Sequence, residues 1–154
     1  MAADRSGTIF FSRGFFPVPG LILTGIYLLV SLIIIDDFGI TWDEPRHFAA
    51  SDRYLEVLEE KGLGAVFTPE DFTNSLQYYG PVFDIWGAVN HRIFSEKLGW
   101  LPADNSRHLH LVITSALTVL FTYLLIGSIT GGSAGLFSAL FLIGLPRFFG
   151  HSFN

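Results

Sequence analysis

Asp43 and Glu44, followed by Arg46 and His47, put two carboxylates, a guanidinium and an imidazole within one short stretch of chain. Such a set can take a proton from a hydroxyl, ligate a divalent cation such as Mg or Mn, or hold a phosphate. The stretch, Gly39 to Phe48, follows directly on an apolar run from Leu21 to Ile35. Charged groups just past such a run can reach a lipid headgroup while staying hydrated, whereas deeper in hydrocarbon they would cost several kcal/mol each.

Two readings of the acid pair compete. Thr41-x-x-Glu44 fits a capping box, and Asp43 or Glu44 could cap a helix that begins at Pro45. Alternatively one carboxylate is a general base and its neighbour orients it or ligates a metal. Partial desolvation near a membrane surface would favour the second role by raising a carboxylate pKa. The two are compatible, because a helix start would hold the carboxylate rigidly. Arg147 and His151, after the last apolar run, are weaker candidates for binding a phosphate; the plainer reading of Arg147 is a snorkelling anchor. His108 and His110 lie two apart, so on a helix they should point to different faces and make a poor metal pair.

The elements that must position these groups follow from the apolar pattern. The chain has 154 residues, sixteen Phe, 15% charged residues and a mean hydropathy of +0.47. A soluble domain of this size needs more polar surface than these residues supply. The apolar residues fall in blocks, which predicts an all-α integral membrane protein with about three transmembrane helices, near 17–35, 109–129 and 134–149. The absence of cysteine excludes disulfides and thiolate chemistry, and a net charge of −5 offers no basic surface for nucleic acid.

The charge is unevenly placed. Residues 36–107 carry thirteen acids against six bases, while Arg5 and Arg13 precede the first apolar run. The arginines should hold the N-terminus in the cytoplasm and leave 36–107 as an external loop. Within that loop one amphipathic helix runs from Pro45 to Lys61, with Phe48, Ser51, Leu55 and Leu58 on one face and Gly62 ending it. Thr68-Pro69-Glu70-Asp71 reads as a further helix start, interrupted at Gly80-Pro81. A second amphipathic segment then runs to about Leu98, its apolar set including Val82, Phe83, Ile85, Trp86, Val89 and Ile93. These two or three helices are expected to lie flat on the outer leaflet. Asp104 or Ser106 should cap the next span, and Gly127 to Ser133 reads as the turn into the third. Small residues there, Gly135 and Ala139 among them, suit close helix packing.

The order of these pieces, with "GITWDEPRHF" after the first span, "QYYGPVFDIWGAV" in the loop and "GLPRFFGHSFN" after the third, resembles the N-terminal part of the GT-C membrane glycosyltransferases. That group includes protein O-mannosyltransferases and aminoarabinose transferases. The resemblance covers Leu21 to Asn154 and implies inverting transfer of a sugar from a polyprenyl-phosphate carrier to a lipid, glycan or protein acceptor. It places the reaction on the outer side of a bacterial inner or plasma membrane, or in the endoplasmic reticulum lumen. It matches the acidic residue of the first external loop to Asp43, with Glu44 beside it, and assigns Arg147 and His151 to the carrier phosphate. Enzymes of this group are several times longer, so the expectation is that this chain is the N-terminal portion of one. A different class, a non-enzymatic three-span scaffold or assembly subunit, would use the external helices as a docking surface. Transport ranks last, because the predicted spans hold no charged residue in their interiors.

Overall fold

The computed structural model describes residues 16–68 and 81–153. The predicted basic tail at Arg5 and Arg13, the helix start at Pro69 to Asp71, Gly80 and Asn154 lie outside the described residues. Those described are helical, and no strand occurs among them. In order they form α1 (Val18–Ile34), a 3-10 turn (Ile35–Asp37), α2 (Glu44–Lys61) and α3 (Leu63–Val66). After residue 80 come α4 (Pro81–Asn90), a π-helical turn (His91–Lys97), α5 (Ala103–Thr130), α6 (Gly132–Ile143) and α7 (Pro146–Gly150). The chain divides into two compact units: the residues before Ser31 with Ser115–Gly150, and Ser31–Thr114 with the residues from His151 on.

The first unit is built from apolar helices. Tyr27, Ala116, Val119, Tyr123 and Ala139 form its buried centre. Tyr123 fills the space left by Gly20, where an added Cβ would fall inside its ring, and donates its hydroxyl to Phe16 O at 2.6 Å. Gly135 brings α6 close to α5: a Cβ there would meet Tyr123 O at 2.7 Å and Gly127 Cα at 2.9 Å. The small residues read from the sequence therefore let the backbones of α5 and α6 approach closely. Phe148 and Phe149 of α7 pack on Tyr27, with ring centroids 6.3 and 6.4 Å away.

Two helices are long and apolar enough to cross a membrane, Val18–Asp37 and Ala103–Thr130, and only 22% and 28% of their apolar windows are buried. The third apolar helix, α6, has twelve residues. At 1.5 Å per residue it rises about 18 Å, short of a hydrocarbon core. The expected turn over Gly127 to Ser133 contracts to Gly131 alone, which takes φ 111°. Helix α5 continues through Ser128 and Thr130, whose hydroxyls donate back to Leu125 O and Ile126 O, each at 2.8 Å.

The second unit is polar and organised on α2. Tyr54, Val57 and Val66 are its buried centre, with Ala65 of α3 and Ile85 of α4 against them. The buried face of α2 includes Ser51, Tyr54, Leu55 and Val57, so the expected stripe through Phe48 and Leu58 is centred too far round the helix. Gly62, at φ 83°, ends α2 where the sequence placed the stop. Helix α4 corrects its expected face more strongly. Its buried residues are Pro81, Gly87, Ala88 and Asn90, while Val82 and Phe83 are exposed. Small side chains let α4 approach its neighbours closely; Ile85, Trp86 and Val89 are half-buried, and Val82 and Phe83 are left outside. Beyond Asn90 the helix widens, with Leu98 N–H bonding to Ile93 O at 3.0 Å.

Helix α5 also begins earlier than expected, at Ala103. Neither Asp104 nor Ser106 precedes it: Asp104 sits in the first turn, and Ser106 Oγ donates to Ala103 O at 2.6 Å from inside the helix. Its first two turns consequently carry Arg107, His108 and His110 before the apolar stretch begins. Asn105 donates to Asp36 Oδ1, and Phe153 stacks on Phe38 with centroids 3.9 Å apart. The stacked pair ties the residues after α7 to the loop that leads into α2.

Candidate active site

A cavity of about 260 Å³ in the second unit is walled by the start of α2 (Thr41, Asp43, Glu44, His47, Phe48, Ser51), by α4 (Phe83, Asp84, Gly87) and by α5 (Arg107, His108, His110, Leu111). Local hydrogen bonds set its acidic edge. Thr41 N–H donates to Glu44 Oε2 at 2.6 Å, the carboxylate arm of the expected capping box. The other arm is missing, because Thr41 Oγ1 donates instead to Asp43 Oδ1 at 2.9 Å. Asp43 occupies the N-cap position, its carbonyl taking the Arg46 N–H at 3.0 Å, but its side chain makes no capping bond. The carboxylate of Asp43 is thus held by Thr41 through one oxygen while it stands on the cavity wall.

Glu44 is buried, and its Oε1 lies 3.0 Å from His108 Nε2, at an angle too oblique for a hydrogen bond. His108 is 2% exposed, and its Nδ1 has no hydrogen-bond partner among the described residues. This opposed pair makes Glu44 part of the packing between α2 and α5.

Arg107 holds the same junction. Its guanidinium donates to both oxygens of Asp52 at 2.9 Å and to Ser51 Oγ at 2.8 Å, and lies 5.0 Å from the centre of the Phe48 ring. Ser51 accepts that bond because its own proton goes to Phe48 O at 2.8 Å. His110 Nδ1 is 2.6 Å from Arg107 O; a carbonyl only accepts, so Nδ1 carries the proton. This backward bond folds His110 toward the cavity, and both histidines line it despite being two apart. They reach it from different sides, His108 against Glu44 and Phe48 of α2 and His110 against Phe83 and Trp86 of α4, so helical spacing does separate their faces.

Asp84 completes the site from α4. Its Oδ1 lies 3.5 Å from His47 Nδ1, and its Oδ2 is buried without a hydrogen-bond partner among the described residues. Burial pushes the Asp84 carboxyl above its ordinary 3.8, and His47 pulls it back through charge and a hydrogen bond. Asp84 in turn raises the Tyr54 hydroxyl, which burial has already shifted upward. The sign for stability follows from linkage: a raised carboxyl binds its proton more tightly folded than unfolded. Stability contributed by Asp84 is therefore full below 3.8 and falls as pH rises from there through its folded value. Asp84→Asn should flatten that slope when unfolding is followed as a function of pH. An unchanged slope would remove Asp84 as its source.

Of the residues singled out in the sequence, Asp43, Glu44 and His47 come together here. Arg147 is exposed on α7 and His151 is exposed just after it, and neither lines the cavity. Asp84, Arg107, His108 and His110 were not read as a site. The available signal was an arginine and two histidines opening an otherwise apolar helix, where polar groups are costly unless paired. Among the described residues no group of three or more His, Asp or Glu side chains is placed to hold a metal ion. Asp43 and Glu44 each place one carboxylate oxygen on Thr41. No protein-family model, curated protein or solved structure matches this chain.

Proposed function

We propose that this chain is part of a membrane glycosyltransferase of the GT-C kind, in which Asp43 takes the proton of an acceptor hydroxyl. The observation that carries the reading is the position of Asp43: its carboxylate stands on the wall of a cavity at the start of a helix, fixed by Thr41. In the step, the acceptor O–H bond breaks and its proton passes to the Asp43 carboxylate. The acceptor oxygen attacks the anomeric carbon of a polyprenyl-phosphate-linked sugar, and the carbon–oxygen bond to phosphate breaks with its electron pair going to the phosphate. The anomeric centre inverts. Glu44, committed to Thr41 and facing His108, orients the loop. Membrane insertion is supported by the two long apolar helices, whose surfaces are mostly unburied. Residues 134–149, through α6 and α7, supply a third crossing in this reading, with 36–107 external and the N-terminus cytoplasmic.

The lipid-reconstituted chain is expected to bind a polyprenyl-phosphate-linked hexose saturably and more tightly than the free hexose. Absence of saturable binding would overturn the reading. The exposed Val82 and Phe83 of α4 favour a second one, a docking surface on a non-catalytic subunit. Under it, replacing both by Ser would abolish partner binding and leave Asp43→Asn without effect.

A further inference from the structure

The cavity holds a second proton-bearing group that the transfer step leaves unused. His47 is a third exposed, and its Nδ1 faces the Asp84 carboxylate from one turn beyond Asp43. Residues four apart on a helix share a face, with about 5–6 Å between their Cβ atoms. Asp43 has near-helical backbone angles (φ −97°, ψ −21°), so the rule applies to this pair, and both residues line the cavity.

We propose that His47 and Asp84 form a proton-holding dyad: Asp84 fixes the proton of neutral His47 on Nδ1, so that Nε2 takes up the proton that Asp43 removes from the acceptor. The inference rests on the transfer reading for the origin of that proton. A buried carboxylate set behind an imidazole is the arrangement that orients histidine bases elsewhere, selecting the tautomer and stabilising the imidazolium. Asp84 suits this position. Among the described residues one of its oxygens is sealed from solvent without a hydrogen-bond partner, and the other meets His47, so the charge it carries is balanced best when the imidazole is protonated. Burial raises the Asp84 carboxyl and His47 lowers it, through charge and a hydrogen bond.

The proton balance closes. The Asp43 carboxyl gives its proton to His47 Nε2 and returns to a carboxylate, and the imidazolium then loses the proton to water. The surrounding charges act on the dyad from both neighbouring helices. On the α2 side Asp43, Glu44 and Tyr54 face it, and on α5 His108 and His110 do, while Arg107 is neutralised by Asp52. In this relay His47 is the catalytic residue and Asp84 a positioning residue.

The test uses the reconstituted full chain with nitrogen-labelled histidine. Imidazole NMR should find the proton of neutral His47 on Nδ1. Asp84→Ala should move it to Nε2, and Asp84→Asn, which keeps an acceptor oxygen, should keep the tautomer. Melting temperatures recorded alongside identify any variant that fails to fold, and Asp84→Glu should keep the proton on Nδ1. In transfer assays His47→Gln should lower turnover by up to about a hundredfold, as loss of a proton-transfer group does, and added imidazole should restore part of it. A wild-type proton on Nε2, an Nδ1 proton retained in Asp84→Ala, or active His47→Gln protein without imidazole rescue would each overturn the dyad. The transfer assays use a full-length, transfer-competent background; if the reconstituted chain binds no polyprenyl-phosphate-linked hexose, the glycosyl-transfer reading fails, and the NMR result alone decides the dyad.

Discussion

Asp43→Asn should fold with a wild-type melting temperature and transfer sugar at least about a hundredfold more slowly, the usual loss when a general base is removed. The amide oxygen still accepts the Thr41 hydroxyl bond that fixes the side chain, so the start of α2 is kept. The amide cannot take a proton from the acceptor, so the chemistry is lost. Glu44→Gln should behave differently. Glu44 is buried, receives Thr41 N–H and faces the buried His108, so removing its charge should lower stability more than turnover. The measurement is turnover and melting temperature for both variants in a full-length, transfer-competent background. Normal turnover in Asp43→Asn would take this residue out of the mechanism, leaving the acid pair as a feature of the helix start.

The second large effect is expected at Asp52. Its carboxylate is half-exposed, but its partner, the Arg107 guanidinium, is 9% exposed. Asp52→Ala leaves that buried cation with Ser51 and the Phe48 ring. Breaking a buried pair costs about 3–5 kcal/mol, and because water already screens the Asp52 side the expected loss is about 2–3 kcal/mol. Asp52→Asn, which keeps one acceptor, should fall between. Arg107→Lys should not substitute, because the guanidinium places one nitrogen on both Asp52 oxygens and another on Ser51, and a single ammonium nitrogen cannot stand at both places. Equilibrium unfolding of the reconstituted protein checks the series. A loss within about half a kcal/mol, the range of neutral surface changes, would show that the junction between α2 and α5 is held by apolar contacts alone.

The sequence by itself determined the helical class, the first long apolar helix, the stop at Gly62 and the small-residue seam at Gly135. Each is a local matter: apolar run length, the left-handed conformation that glycine tolerates, and the absence of a Cβ are properties of a few consecutive residues. It also marked Asp43, Glu44 and His47, because they are contiguous. Arg107, His108, His110 and Asp84 were not legible as one site, since they lie forty to sixty residues away and each has an ordinary surface explanation. The buried face of α4 was misread for a related reason. Hydrophobic periodicity assumes that bulky apolar side chains face inward, whereas here Gly87 and Ala88 are inside and Val82 and Phe83 outside. Only the tertiary structure decided that inversion. Close approach of helices rewards small residues, and a bulky face turned outward is stable where its surroundings are apolar. The same packing set the early start of α5, whose first turns carry Arg107 to Asp52 and His110 to the cavity, and so placed its polar end beside Asp43.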